Sequence, residues 1–187
     1  MRGPPQTIQL WRSLMNSNKM ERGLLGLLAV LTAALLVTIY DGIHEPNVMV
    51  GDTAPNFKVV TDRGRTMTRA DFGGKVLVLN FWATWCPPCI EELPSLNQFQ
   101  KEMAGSGIVV LGVSVDKNEA VYKAFLKRNG VVFETARDPS TEISAGYGTY
   151  KYPETYVIDA SGKVRQKRIG QVNWMDPEVM SSIKGLL

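Results

Sequence analysis

The sequence predicts an α/β domain, with a central mixed sheet flanked by helices, that follows an N-terminal transmembrane helix. Three observations lead to this prediction. Residues 23–40 form a stretch of 18 residues without a charge. Two continuous apolar runs, 76–82 and 108–115, are typical of strands that are buried on both faces of a sheet. Each run precedes a segment whose apolar residues recur at helical spacing, as in parallel β-α-β units.

The stretch 23–40 has the length and composition of a membrane anchor. As a helix it would span roughly 27 Å, close to the hydrocarbon thickness of about 30 Å. Basic residues dominate before it, and no Lys or Arg follows it until Lys58. This asymmetry predicts a single-pass protein of the cell (inner or cytoplasmic) membrane, with a cytoplasmic N-terminus and the domain on the far side, periplasmic or extracytoplasmic.

Two alternatives for this stretch are less favourable. A cleaved signal peptide usually has an apolar region of about 7–15 residues, and no small-x-small site follows Tyr40. A buried helix of the soluble domain would not be apolar on all faces with a basic flank on one side only. The predicted organisation is a cytoplasmic segment at 1–22, the anchor at 23–40, a linker at 41–50 and the α/β domain at 51–187.

Within the domain, apolar periodicity and turn residues predict each element in order. The order of strands and helices implies a parallel part of the sheet with an antiparallel hairpin at one edge. The predicted elements are a strand at 57–60, a turn at 62–65, a strand at 76–82, a helix at 87–103 kinked by Pro94, a strand at 108–115, a helix at 118–129, a strand at 131–133, a short helix at 141–147, a hairpin of 155–159 with 164–169, and a helix at 175–187.

Composition and charge exclude several classes of protein. Of the 187 residues, 44% are hydrophobic and 21% are charged, with a formal net charge of +3, as in ordinary globular proteins. Basic residues are interspersed with acidic ones, so we expect no nucleic-acid binding. The chain has two cysteines, and its only histidine, His44, lies far from them. We therefore expect neither a disulfide-stapled scaffold nor a metal site, and no cofactor.

The two cysteines, Cys86 and Cys89, carry the clearest functional signal. They are separated by Pro87 and Pro88 and come directly after the strand at 76–82, where a helix begins. A helix N-terminus stabilises a thiolate, so a lowered pKa is expected for Cys86, with Cys89 close enough to form a disulfide. The alternatives are two unreactive core cysteines or a structural bridge, which would contribute little across so short a loop.

Three motifs resemble a known family. Residues 81–89 (FWATWCPPC) with 91–94 (EELP) resemble the active-site strand and helix of the thioredoxin superfamily. Residues 50–57 and 152–159 resemble segments of its membrane-anchored TlpA/ResA/CcmG-type thiol-disulfide oxidoreductases, which serve cytochrome c maturation. The resemblance covers residues 48–187 and implies a thioredoxin-like fold.

The resemblance also implies roles for residues around the cysteines. Cys86 would attack a substrate disulfide, and Cys89 would resolve the mixed disulfide. Glu92 lies one helical turn after Cys89, where some members have a functional glutamate. Buried there, it would have a raised pKa and carry the proton of Cys89; the alternative is a solvated helix acid. Asn80 stands where cytoplasmic thioredoxins have a buried aspartate.

A second segment is expected to bind substrate. The family parallel implies a cis peptide bond at Tyr152-Pro153, with the Tyr152 backbone pairing with an extended substrate, and a plain turn proline is the alternative. Glu154 is expected on an acidic rim and Trp85 on an exposed contact surface. The predicted substrate-binding residues are Trp85, Pro87, Pro88, Tyr152, Pro153 and Glu154.

The resulting hypothesis is an extracytoplasmic reductase of protein disulfides. Its expected partners are an apocytochrome c-like substrate and an integral-membrane electron donor. A general periplasmic disulfide oxidant or isomerase would carry the same residues. A peroxiredoxin is disfavoured because Ala83 stands where that family has Thr or Ser, three residues before its reactive cysteine. A Sco-like copper-binding module is disfavoured because it needs a CxxxC pair and a distal histidine.

Overall fold

The computed structural model describes residues 6–43 and 46–187. The chain forms two compact units, which divide between residues 45 and 46. The predictions that concern residues 1–5 and 44–45, including His44, lie outside the described residues. Residues 46–50, assigned to the linker from the sequence, belong to the second unit.

The first unit contains one helix, α1 (Gln6–Ile43). Within it, Glu21–Tyr40 has a mean hydropathy of 2.3 and is long and apolar enough to cross a membrane, by length and composition. The side chains of this span are exposed.

The second unit is built from strands and helices that alternate along most of its length. They are β1 (Lys58–Val60), β2 (Thr66–Thr68), a 3₁₀ helix (Arg69–Phe72), β3 (Val76–Trp82), α2 (Pro87–Glu102), β4 (Ile108–Ser114), α3 (Glu119–Asn129), β5 (Glu134–Arg137), α4 (Glu142–Gly146), β6 (Glu154–Ile158), β7 (Val164–Ile169) and α5 (Pro177–Lys184).

Five of the strands form one mixed sheet, in the order β5-β4-β3-β6-β7. The strands β3, β4 and β5 are parallel, whereas β6 runs antiparallel to β3 and pairs with β7 as a hairpin. The α/β class, the parallel part and the antiparallel edge are therefore as predicted. The strands β1 and β2 form a separate antiparallel pair.

The central strand β3 separates two hydrophobic cores, and all its residues are buried. Side chains alternate between the faces of a strand. Val76, Val78 and Trp82 pack with side chains of α2, α3 and α5. Leu77 and Leu79 pack on the other face, beneath β1, the 3₁₀ helix and α4. The prediction of helices on both faces is confirmed, and α2 is held directly against the sheet.

The main error of the sequence prediction concerns β5. The apolar residues 131–133 were expected to form this strand, but Glu134–Arg137 pairs with β4 instead. Phe133 fills the core from the preceding loop. The carboxylate of Glu134 is stabilised in the strand by Arg63 at 3.1 Å and Arg65 at 2.5 Å. Neither β2 nor the 3₁₀ helix was predicted.

The segment 51–62 lies along both edges of the five-stranded sheet. At one edge, the N–H of Gly51 donates to the carbonyl of Val164 at the start of β7, at 2.8 Å. At the other edge, the N–H of Asp62 donates to the carbonyl of Thr135 in β5, at 2.9 Å. Each edge strand is therefore paired over part of its length.

Candidate active site

The two cysteines lie at the N-terminus of α2, directly after the end of β3. Cys86 is the N-cap residue, with an extended backbone. Pro87 and Pro88 occupy the first two helical positions, where a missing N–H removes no hydrogen bond of the helix. The sulfurs of Cys86 and Cys89 are joined in a disulfide, and their Cα atoms are 5.3 Å apart. The expected pairing is present, and the structure shows the oxidised form.

The disulfide is almost completely covered. Cys86 is 4% exposed and Cys89 is 3% exposed, whereas Trp85 is 64% exposed. An incoming sulfur must therefore reach Cys86 through a small opening. The side chains around this opening control access to it.

Glu92 is buried on the side of α2 that faces the sheet. It is 2% exposed. The side-chain amide of Asn80 donates to its Oε1 at 2.8 Å, and the N–H of Val172 donates to its Oε2 at 3.1 Å. Burial raises the pKa of Glu92 to about 7, and these hydrogen bonds offset the effect of burial only in part. The alternative of a solvated helix acid is therefore wrong.

Residues from two other segments complete the surroundings of Glu92. The amide of Asn80 also donates to Oγ1 of Thr155 in β6, at 2.9 Å. The hydroxyl of Ser95 donates to the carbonyl of Glu92 at 2.8 Å and accepts from the N–H of Trp174 at 3.2 Å. Sequence reasoning missed these contacts. Thr155, two residues after the predicted substrate-binding proline, was the only one with a positional signal.

The segment before β6 comes close to the cysteine loop. The Tyr152-Pro153 peptide bond is cis, as the resemblance implied. The ring of Tyr152 meets the ring of Trp85 edge to face, with centroids 6.1 Å apart. Among the described residues, no hydrogen bond involves the backbone of Tyr152, whereas the carbonyl of Pro153 accepts from Gly170 at 2.8 Å. Trp85 and Tyr152 thus form one surface beside the disulfide.

The expectation for Glu154 is wrong, because this residue does not lie on an exposed acidic rim. It is 2% exposed, and its carboxylate pairs with Lys167 at 3.1 Å and accepts from the hydroxyl of Tyr156 at 3.0 Å. The register explains the difference. Glu154 pairs with Phe81 in β3, so its side chain faces the core opposite α2.

Metal-ligating side chains are not clustered around the disulfide. Within residues 6–43 and 46–187, no group of three or more His, Cys, Asp or Glu side chains could hold a metal ion. Ala83 is fully buried and has no hydroxyl to orient a peroxide. The groups that the structure brings together at this site are the cysteine pair and Glu92.

Comparison with known proteins points to the same chemistry. The family model described as AhpC/TSA matches residues 50–167. The thiol-disulfide oxidoreductase ResA of Bacillus cereus is 34% identical over 147 residues, which cover 78% of this chain and 85% of that protein. ResA of Geobacillus thermodenitrificans is 34% identical over 161 residues, covering 84% and 92%.

Solved structures show the same fold. The crystal structure of a thiol:disulfide interchange protein of the thioredoxin family, from Chlorobium tepidum, matches with a TM-score of 0.64 at 32% identity. The match covers 74% of this chain and 97% of that protein. The predicted thioredoxin-like fold is confirmed.

Proposed function

Because the chain belongs to the AhpC/TSA family, as a thiol-disulfide oxidoreductase similar to ResA, we propose that it reduces protein disulfides during extracytoplasmic cytochrome c maturation. One observation carries this proposal: Glu92 is buried one helical turn after Cys89, with a pKa of about 7. A carboxyl group with such a pKa both accepts and releases a proton near neutral pH. Proton transfer of this kind is what the resolving step of a dithiol reductase requires.

The first step forms a mixed disulfide. In the reduced protein, the thiolate of Cys86 attacks one sulfur of the substrate disulfide. A bond forms between Cys86 and that sulfur, and the substrate disulfide breaks. The second substrate sulfur leaves as a thiolate and takes a proton from water. The N-terminus of α2 stabilises the Cys86 thiolate before the attack.

The second step releases the substrate. Glu92 takes the proton of the Cys89 thiol, and the resulting thiolate attacks the sulfur of Cys86. The mixed disulfide breaks, the Cys86–Cys89 bond forms, and the remaining substrate sulfur leaves as a thiolate that is then protonated. The substrate gains two electrons and two protons. Glu92 then releases its proton to water. An integral-membrane dithiol donor returns two electrons by breaking the Cys86–Cys89 bond; one of its two protons stays on Cys89 and the other goes to water, which restores the Cys86 thiolate.

The surface around the opening supports docking of a protein substrate. Trp85 and Pro87 are exposed, and Pro88 and Tyr152 are half-buried. An extended chain, such as a segment of apocytochrome c with its cysteines oxidised, would lie across these side chains and pair with the Tyr152 backbone. The span Glu21–Tyr40 would hold the domain outside the cytoplasm, at the membrane that contains the donor.

The experiment follows reduction of a peptide with two cysteines in a disulfide. We expect Cys86→Ser to abolish reduction and Cys89→Ser to accumulate a mixed disulfide, seen as a mass increase that dithiothreitol removes. Full activity of Cys86→Ser would refute the mechanism. The reduction potential of the Cys86–Cys89 pair tests the direction of electron flow. A value of about −270 mV fits a reductase, and a value of about −120 mV would indicate an oxidant.

A further inference from the structure

The buried carboxylate of Asp116 takes no part in the mechanism above. It lies two residues after β4, and its side chain is buried. The end of β4 is next to the end of β3, since Trp82 pairs with Ser114 and the N–H of Val115 donates to the carbonyl of Trp82 at 3.0 Å. Asp116 therefore lies beside the loop that leads from β3 to the cysteines.

Both oxygens of Asp116 bind this loop through one residue. The N–H of Thr84 donates to Oδ2 at 2.8 Å, and the hydroxyl of Thr84 donates to Oδ1 at 2.6 Å. The hydroxyl of Ser114 gives a third hydrogen bond, to Oδ2 at 2.6 Å. No ion pair among the described residues includes this carboxylate. These hydrogen bonds are what compensates its burial.

The backbone around Asp116 is itself held from the end of β5. Arg137 donates to the carbonyls of Asp116 and Lys117, at 3.4 Å and 3.3 Å. Its other nitrogen pairs with Glu119 at 2.9 Å. Because Arg137 holds the backbone at Asp116, the carboxylate of Asp116 can hold Thr84 in one position.

Thr84 directly precedes the exposed Trp85, and Cys86 follows. We propose that Asp116 is a positioning residue that acts through Thr84 to hold the loop 83–86, and with it Trp85 and Cys86, in the geometry needed for attack on a substrate disulfide. The inference rests on the proposed role of Cys86. It adds the residues that keep the cysteine loop in place before the substrate binds, as preorganisation requires.

The test uses the full chain in detergent micelles, with two variants of Thr84. Thr84→Val keeps the shape of the side chain and the N–H bond but removes the hydroxyl, whereas Thr84→Ser keeps both hydrogen bonds. We expect Thr84→Val to lower the rate constant for peptide disulfide reduction about tenfold, which corresponds to about 1.4 kcal/mol, the scale of one hydrogen bond to a charged group. Thr84→Ser should restore the rate to within twofold.

Thr68→Val is the matched control. The N–H and hydroxyl of Thr68 also bind a single carboxylate, that of Asp71 at the start of the 3₁₀ helix, but both donate to the same oxygen, Oδ2, at 2.6 Å and 2.7 Å. Its rate should stay within twofold of the unmodified protein.

A second readout is the pH dependence of Cys86 alkylation by iodoacetamide in the reduced protein with Cys89→Ser. We expect Thr84→Val, but not Thr68→Val, to shift the pH at which the alkylation rate of Cys86 is half of its maximum.

A merely structural role would lower the urea midpoint of Thr84→Val and leave its rate and alkylation profile unchanged while the protein is folded. That outcome, or equal effects of Thr84→Val and Thr68→Val, would overturn the proposal. If Thr84→Val does not fold, Asp116→Asn is measured in its place. The amide nitrogen of the new side chain cannot accept the second hydrogen bond from Thr84, so we expect the same loss of rate. Alkylation needs no substrate, so it tests the loop even if the proposed substrate is wrong.

Discussion

Replacing Glu92 by glutamine should remove a specific pH dependence of stability. The pKa of Glu92 is about 7 in the folded protein, against an ordinary value of 4.5 that applies to the unfolded chain. Between these pH values the folded protein keeps a proton that the unfolded chain has released. The free energy of unfolding therefore falls as the pH rises from about 4.5 to about 7, and the loss is complete above pH 7.

The size of this effect follows from the shift of the pKa. At 1.36 kcal/mol for each pKa unit, burial of Glu92 costs about 3 kcal/mol of stability above pH 7, relative to pH 4.5. Glutamine carries no proton to lose, so Glu92→Gln should lack this decrease. Glutamine also fits the site. Its carbonyl can accept from Val172, and its amide can donate to Asn80 once that side chain is rotated by 180° about its terminal bond.

The assay is urea unfolding of the oxidised full chain in detergent, followed by tryptophan fluorescence from pH 4.5 to pH 8.5. The difference in unfolding free energy between Glu92→Gln and the unmodified protein should change by about 3 kcal/mol in favour of glutamine across this range. Parallel curves for the two proteins would refute the reasoning. In the reduced protein, the same variant should prolong the life of the mixed disulfide above pH 7.

Three further perturbations test other parts of the molecule. Lys167→Met leaves the carboxylate of Glu154 buried without a cation and should lower the unfolding free energy by about 3–5 kcal/mol in urea. Gly148→Ala should cost at least about 2 kcal/mol in the same assay, because its φ is +75° and the new Cβ would clash with the carbonyl oxygen of Pro46. Washing membranes with alkaline carbonate should leave the protein in the pellet, held by Glu21–Tyr40.

Each of these predictions has a control or a contrary result. Arg165→Met removes an exposed partner of Asp159 and should lower the unfolding free energy by less than about 1 kcal/mol. If Lys167→Met lowers it by no more than this, the burial of the Lys167–Glu154 pair does not have the expected effect on stability. Gly105 has a φ of +78° but open space around its Cβ position, so Gly105→Ala isolates the backbone cost from the clash. Release of a shortened soluble protein by carbonate would contradict an uncleaved anchor.

Local patterns predicted the part of the fold that carries the cysteines. The apolar run 76–82 coincides with β3, because a strand buried on both faces tolerates no polar interruption except a hydrogen-bonded one such as Asn80. The predicted start of α2 at Pro87 agrees with the structure, where Pro87 and Pro88 occupy the first turn that proline favours. The burial of Glu92 was expected from its spacing to Cys89 and from the family resemblance.

The features that were missed depend on contacts between distant segments. The side of the sheet on which Glu154 lies follows from the register of β6 against β3, which no local pattern gives. The polar start of β5 at Glu134 is accommodated by ion pairs with Arg63 and Arg65, which lie about 70 positions earlier and belong to no local pattern. Asp116 belongs to no motif, because its partner Thr84 is 32 positions away in the sequence.

The segment 51–62 has a consequence for behaviour at high concentration. Unpaired strand edges are templates on which a second chain can add a strand and begin to aggregate. Here a single stretch closes part of both edges, at β7 through Gly51 and at β5 through Asp62. A shortened protein that begins after residue 62 would open both edges together. The stretch that follows α1 thus shields part of both sheet edges from pairing with a strand of another copy.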